Sequence, residues 1–363
     1  MHLPPIQDLV SKFKLPPGLF SKKAVVSTAP VTCLACDYGK SKIVFLEVEK
    51  SPAGIKLLKF QKLARPQEKE KETAILKEAF QAGGYSSPKV RISVKGQGVI
   101  VRFVQFPQMK VDELRKAISF EIDQYIPFKS HEVIWDIHVL EENLQTNNGG
   151  GMNVLLAAVK RDELYATVKV FQDAGLQIEL IDVDALAAIN ALSFFYPERL
   201  ETPVAILDIG TEISTLSVTH HGKPRFIRDI SFGGLDILKR LKRKLGLSQE
   251  QALEQIEVDR VPTPEAAVIL QESLGELVTD LKVSLNYYLD QVPSAEAVTH
   301  LFIGGGGGYH PMVSQTLKES LGFEVEAMDV VSKIQVASEI DAQLIKKNQG
   351  LLSVALGLLI RET

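Results

Sequence analysis

The feature that most constrains the fold is a junction that occurs twice. An apolar run beginning at Val31 ends in Asp37-Tyr38-Gly39-Lys40, and half a chain later the run Val204 to Leu207 ends in Asp208-Ile209-Gly210-Thr211. Each is followed by further apolar alternation, so each reads as strand, tight Asp-x-Gly turn, strand. A third junction sends Phe302-Ile303 into five consecutive glycines, Gly304 to Gly308, with a short helix expected over Met312 to Leu321. Glycine lacks the Cβ that would hold a phosphate off the backbone, so amides at such turns can be aimed at phosphate oxygens. A carboxylate at each turn can hold a hydrated Mg²⁺, which takes one or two carboxylates together with waters and phosphates. In a duplicated two-lobed fold the two turns face each other across a nucleotide cleft.

The rest of the chain supplies enough apolar material for such a fold. At 363 residues, 45% of them hydrophobic, it should bury roughly three quarters of its unfolded surface without disulfides or metal. A formal charge of -4 argues against a nucleic-acid binder that neutralises phosphates over its whole surface. Residues 1–30, with Pro4, Pro5, Pro16 and Pro17, read as a mobile leader without a secretory signal; Leu9, Val10 and Phe13 form either one amphipathic docking turn or part of a plain tail. Without such a signal the chain is expected inside the cell, and since the most apolar window, Leu351 to Ile360, is about half of a membrane span, any membrane contact is expected to be indirect or superficial. Cys33 and Cys36 form a C-x-x-C within a strand, where residues three apart point to opposite faces; two small buried side chains account for them better than zinc or redox chemistry.

Helices are expected over Lys69 to Ala82, Val111 to Tyr125, Glu163 to Ala174, Leu235 to Leu245 and Glu272 to Val292. The last carries a stripe of Leu274, Leu277, Val278, Leu281, Leu285, Tyr288 and Leu289. Strands alternate through Val90 to Val94, Val99 to Phe106, Glu132 to Leu140 and Met152 to Val159, which with two helices make a compact α+β module. Lys239, Arg240, Lys242, Arg243 and Lys244 form either a solvated face or a site for an anionic partner. Glu212 beside the second turn, the pair His220-His221 and Trp135 read as hydrated turn, exposed turn and core residues before they read as base, metal ligand or partner anchor.

In this order the motifs resemble the actin-like proteins that include FtsA and, among them, the PilM family of type IV pilus assembly proteins. The resemblance runs from about residue 31 to 363. Its specific parts are Val101 to Met109 with Asp112-Glu113-Leu114, Glu121 and Tyr125-Ile126-Pro127-Phe128, then Ala174-Gly175-Leu176, Val204 to Gly210, Arg228-Asp229-Ile230 with Gly233-Gly234, Gly304-Gly305-Gly306, and Leu351 to Arg361. It implies an α/β, two-lobed actin-like fold with an inserted α+β subdomain. Residues 31–98 and 179–202 would form the first lobe, 99–178 the insertion, and 203–363 the second lobe, with 236–298 as its outer part.

The resemblance further implies a cytoplasmic adaptor, peripheral to the inner membrane, in the assembly platform of a type IV pilus or a related secretion or DNA-uptake machine. Its partner would be the cytoplasmic tail of a PilN-like membrane protein, held in a groove between the first lobe and the insertion, with other platform proteins alongside. ATP and Mg²⁺ would occupy the cleft at Asp37, Gly39, Lys40, Ser41, Asp208, Gly210, Thr211, Gly233, Gly234, Gly304, Gly305, Gly306 and Gly307, with Asp37 and Asp208 holding the metal through water. Three departures bear on this. Lys40 replaces a small hydroxyl residue, Val44 stands where a lysine often lies, and the family's adenosine-binding Ala-Glu-x-x-Lys reads Ala252-Leu253-Glu254-Gln255-Ile256, so Leu253 and Ile256 could fill a pocket that no longer takes adenosine. Weak or no hydrolysis is expected. A nucleotide-free scaffold, and an active ATPase or small-molecule kinase, stay open as alternatives.

Overall fold

The computed structural model describes residues 12–13, 29–146, 149–257, 260–292, 294–308 and 310–361. In chain order it builds β1 (Val31–Tyr38), β2 (Lys42–Ser51), β3 (Gly54–Ala64), α1 (Lys69–Gly83), β4 (Lys89–Val94), β5 (Val99–Pro107), α2 (Val111–Tyr125), β6 (Val133–Thr146), β7 (Gly149–Lys160), α3 (Arg161–Asp173), β8 (Gln177–Val183) and α4 (Asp184–Phe195). The second half continues with β9 (Val204–Ile209), β10 (Ser214–His220), β11 (Lys223–Ile230), α5 (Gly234–Leu245), α6 (Gln249–Glu254), α7 (Pro264–Gln291), β12 (His300–Gly304), α8 (Pro311–Leu321), β13 (Glu324–Ala327), β14 (Gln335–Val336), α9 (Ala342–Asn348) and α10 (Leu352–Ile360).

These strands form three sheets. The first lobe has the order β14-β3-β2-β1-β4-β8, the second β11-β10-β9-β12-β13, and the insertion β5-β7-β6. Within the first sheet β1, β4 and β8 run parallel, so Asp37, Lys95 and Asp184 emerge side by side at their carboxyl ends. In the second sheet β9 and β12 are parallel and Gly304 lies opposite Asp208. Parallel strands leave their carboxyl ends free for ligands, and here both sets of ends meet between the lobes.

The insertion has its own small core. Leu114, Ile118 and Ile122 of α2 bury against Phe106, Val133, Ile137 and Met152, and Trp135 packs at the margin. Helix α3 instead sends Leu164, Val168 and Phe171 into the first-lobe core, which ties the insertion to that lobe. A bidentate ion pair ties it to the second lobe as well: Arg225 on β11 donates to Glu141 on β6, with Nη1 at 2.8 Å and Nη2 at 2.6 Å.

Two helices run through the centre. Eleven residues of α4 and all nine of α10 are buried, as expected of helices that are apolar on every side. They cross closely enough that a Cβ on Gly357 would overlap the Ala187 carbonyl. Arg91 Nη1 donates to the carbonyls of Leu358, Leu359 and Arg361, and Lys50 Nζ to that of Leu359, so side chains satisfy several of the acceptors that the end of α10 leaves open. Sequence had grouped this segment with the second lobe, yet α10 belongs to the first-lobe core and β14 pairs with β3.

Other expectations differ in detail. Helix α7 begins at Pro264 rather than Glu272, because the Thr263 hydroxyl caps it and Pro264 needs no amide partner. Leu289, expected on its buried stripe, is 41% exposed. Among the leader's residues Leu9 and Val10 lie outside the described set; Phe13, by contrast, is buried and bridges to Ile181 on the outer edge of β8. Cys36 is buried and Cys33 half-buried, both unbridged. Arg240 and Lys244 of α5 pair with Glu276 and Glu272 of α7, which gives the basic helix an internal function. His221 takes a turn conformation at φ 53° and stacks on His220.

Candidate functional site

The first turn is fixed from below by Arg65, just beyond β3. Its amide donates to the Ser41 carbonyl at 2.9 Å, Nη1 to the Gly39 carbonyl at 3.1 Å, and Nε to Glu72 at 3.0 Å. The guanidinium also lies 3.8 Å from the Tyr38 ring centre. A Cβ on Gly39 would stand 2.9 Å from the Lys42 carbonyl oxygen, so only glycine lets the turn close. Within this turn Lys40 is exposed, while Lys42 is half-buried and brings its Nζ to 3.2 Å from where a Gly306 Cβ would lie. Burial, and then Lys62, lower the Lys42 pKa. No acceptor meets its ammonium among the described residues.

The second turn closes likewise, the Gly210 amide bonding the Ile213 carbonyl at 3.1 Å. Gly233 and Gly234 lie beneath it: the Gly234 and Leu235 amides of α5 donate to the Gly210 and Thr211 carbonyls, at 2.9 and 2.8 Å. Those two amides hold the turn and are not aimed at a ligand. The two turns touch across the lobes through Ser41 Oγ and Thr211 Oγ1, 2.7 Å apart. Glu212 beside them is exposed.

The glycine run wedges between the lobes. Gly305 takes φ 80° and its Cβ would lie 2.6 Å from Asp208 Oδ1. Its amide bonds the Gly350 carbonyl at 2.9 Å, and that of Gly307 bonds the Ile209 carbonyl at 3.0 Å. Gly304 approaches Ser353 and Asp208. Close contact with the Ile209 backbone therefore explains why Gly305 and Gly307 are glycine, whereas Gly304 meets only the side chains of Ser353 and Asp208. On the side expected to take adenosine, Leu253 is 42% exposed, while Ile256 joins the margin of the second-lobe core. Glu257 lies 3.7 Å from Lys347, and Lys62 donates to Asn348 at 2.7 Å.

At the centre stands a residue absent from the sequence-derived set. Lys95 Nζ lies 2.6 Å from Asp184 Oδ2 and 3.5 Å from Asp37 Oδ1. Burial works against this ammonium, but Asp184, Asp37 and Asp208 together hold its pKa above the usual lysine value. Burial also raises Asp37, with Lys95 opposing and Asp184 assisting. For Asp208, burial pushes the pKa up to about 6, Lys95 pulls it down, and Asp184 and Asp37 push it up. Lys95 thus contacts Asp37 and Asp184 next to the place assigned to a hydrated Mg²⁺ between Asp37 and Asp208, and a divalent ion there would stand beside this ammonium.

The raised Asp208 makes a pH prediction. An unfolded Asp titrates near 3.9, so between about pH 4 and 6 the native state holds the extra proton, and this group's contribution to stability falls as pH rises. Asp208→Asn, which mimics the protonated form, should raise Tm at pH 7.5 by a few degrees, on the order of 1–3 kcal/mol, and flatten the Tm–pH curve across that window. A lower Tm than wild type at pH 7.5 would show that the ionised form is the stabilising one.

Comparison with known proteins follows this geometry. The sequence model of a family described as type IV pilus assembly protein PilM matches residues 59–363. The chain belongs to the PilM family. A solved "PilM-PilN type IV pilus biogenesis complex" shares the fold at TM-score 0.81 and 23% identity, over 91% of this chain and 98% of that one. The ethanolamine utilization protein EutJ from Carboxydothermus hydrogenoformans matches at TM-score 0.53 and 16% identity, over 98% of both chains. The two-lobed actin-like α/β fold is therefore that of this PilM-family chain. Among its described residues no helix is long and apolar enough to cross a membrane.

Proposed function

We propose that this chain is a cytoplasmic adaptor, peripheral to the inner membrane, that binds the short cytoplasmic tail of a PilN-like membrane protein within a type IV pilus assembly platform. The observation that carries this is membership of the PilM family over residues 59–363, joined to a fold shared with a PilM-PilN complex. The tail would lie in the groove between the first lobe and the insertion. Supporting that place, β8 is the edge strand of the first-lobe sheet, follows directly on the insertion's α3, and already accepts a main-chain bridge from Phe13. An edge strand offers unpaired amides and carbonyls to an extended peptide. The test is fluorescence anisotropy of the full-length chain with labelled tails of the single-span membrane proteins encoded beside it. One tail should bind with a Kd of about 1–10 µM, worth roughly 7–8 kcal/mol; failure of every such tail to saturate removes the assignment.

We also propose that the cleft gates this adaptor by taking an ATP-like ligand. A ligand seated between the two turns would replace the Ser41–Thr211 hydrogen bond, and the Arg225–Glu141 pair ties the second lobe to the insertion, so a change at the turns would reach the groove as a lobe rotation. Lys42, with no acceptor among the described residues, would meet the ligand's negative charge, and Arg65 would keep the first turn in place. The committed Gly305 and Gly307 amides favour the second reading, a scaffold whose cleft is structural. Isothermal titration of nucleotide-stripped protein with ATP separates them: saturable binding supports the gate, and none up to millimolar ATP supports the scaffold.

A further inference from the structure

Three carboxylates converge at the cleft from three separate places in the chain: Asp37 at the end of β1, Asp184 at the start of α4, and Asp208 at the end of β9. Side chains of Asp37 and Asp184 are only 12% and 8% exposed. Among the described residues, neither buried Asp184 oxygen has a hydrogen-bonding partner of good geometry. Such a cluster is unfavourable without a cation, because buried like charges repel at low local dielectric. Among the described residues, the cation in ion-pair contact with the cluster is the Lys95 ammonium, which meets Asp184 and Asp37 and is close enough to interact with Asp208.

Lys95 owes this position to topology. It follows β4, the strand that lies between β1 and β8, and the register pairs Val94 with Val183, which puts Lys95 directly beside Asp184. The ammonium also stands 3.9 Å from where a Gly39 Cβ would be, at the floor of the first turn. Magnesium requires near-octahedral oxygen ligands at about 2.0–2.1 Å and keeps several waters. The Lys95 ammonium fills the space between Asp37 and Asp184 and takes up lone pairs of both, so an ion seated there must displace it.

We propose that Lys95 is a built-in counter-cation that replaces the divalent ion at the centre of the cleft, so that the cleft is independent of divalent metal. Asp37, Asp184 and Asp208 then serve to hold Lys95 instead of a hydrated ion. A phosphate-bearing ligand is met by Lys95 at the floor of the first turn and by Lys42 beside Gly306. The phosphate consequence rests on the nucleotide reading above; the metal consequence stands without it.

The two consequences are tested separately on the full-length protein. Mn²⁺ binding is measured without nucleotide, by water-proton relaxation, for wild type, Lys95→Met, Lys95→Arg and the double variant Lys95→Met with Asp184→Asn. Wild type and Lys95→Arg should show no saturable Mn²⁺ binding below about 10 mM. Lys95→Met, which keeps the stem and loses the charge, should bind Mn²⁺ at least tenfold more tightly, and Asp184→Asn should abolish that gain. Sub-millimolar Mn²⁺ binding by wild type or by Lys95→Arg overturns the proposal, and so does a folded Lys95→Met that gains no affinity. The wild-type and Arg measurements keep this decisive if the Met variant does not fold. In the nucleotide arm, wild-type affinity for ATP should agree within twofold in EDTA and in Mg²⁺; a tenfold or greater requirement for Mg²⁺ also overturns it. Absence of ATP binding alone counts against the nucleotide gate and leaves the Mn²⁺ result to judge Lys95.

Discussion

Gly357→Ala should destabilise the protein more than any other single methyl group added to it. The new Cβ would overlap the Ala187 carbonyl and come within 3.1 Å of its Cα, all of it backbone of a helix that is itself buried. No side chain can turn away to make room. Either α10 or α4 must shift, and each is packed into the first-lobe core along its whole length. A loss of more than about 3 kcal/mol is expected, at the upper end of overpacking penalties, or a Tm lower by roughly 6–12 °C. Gly275→Ala is the control. That glycine lies on the exposed side of α7 with nothing within 4 Å of a Cβ, so alanine should add about 0.5–1 kcal/mol through helix propensity alone. Thermal melts of both variants check the pair; a normal Tm for Gly357→Ala would mean that the two helices are further apart than described.

Arg361→Met should come second. Arg361 Nη1 lies 2.6 Å from Asp182 Oδ2, with the two side chains 2% and 0% exposed. Removing the guanidinium leaves a buried carboxylate whose Oδ1 keeps the Val183 amide at 2.7 Å and whose Oδ2 loses its ion-pair partner. Breaking one side of a buried pair costs about 3–5 kcal/mol, most of it for the stranded charge. Adding Asp182→Asn to Arg361→Met should therefore restore at least half of the loss. Chemical denaturation of the two single variants and the double variant measures the coupling, and a double variant no more stable than Arg361→Met would mean that packing, rather than charge, governs the site.

How legible these features were depended on how local their cause is. The turns at Asp37 and Asp208 could be read because Asp-x-Gly between apolar runs is short-range chemistry. Helix α2 has the predicted bounds, Val111 to Tyr125, because only one face of it is buried and Leu114, Ile118 and Ile122 mark that face. Helix α4 left no such trace, since a helix buried on all sides has no polar face to set a period. The first two turns of α7 were missed although Thr263-Pro264-Glu265 carries a cap and a proline at the first position, a signal that was present and unused.

The cleft divides along the same line. Its glycines and the two turn aspartates stand in motifs, whereas Lys95, Asp184, Lys42 and Arg65 belong to no motif and are brought in by strand order and register. Lys95 sits before Gly96, and Asp184 opens α4 after β8. Only the parallel arrangement of β1, β4 and β8 shows that both meet Asp37.

By itself, then, the sequence determined the family, the two-lobed plan and the positions of the two Asp-x-Gly turns, because each depends on residues close together in the chain whose backbone preferences are intrinsic. Tertiary structure alone decided that α10 completes the first lobe's core, that the glycine run is held by contact with Asp208 and Ile209, and that the charge at the centre of the cleft is an ammonium. Those outcomes depend on which strand ends share an edge and how closely two helices can approach, distances that exist only once the chain has folded back on itself.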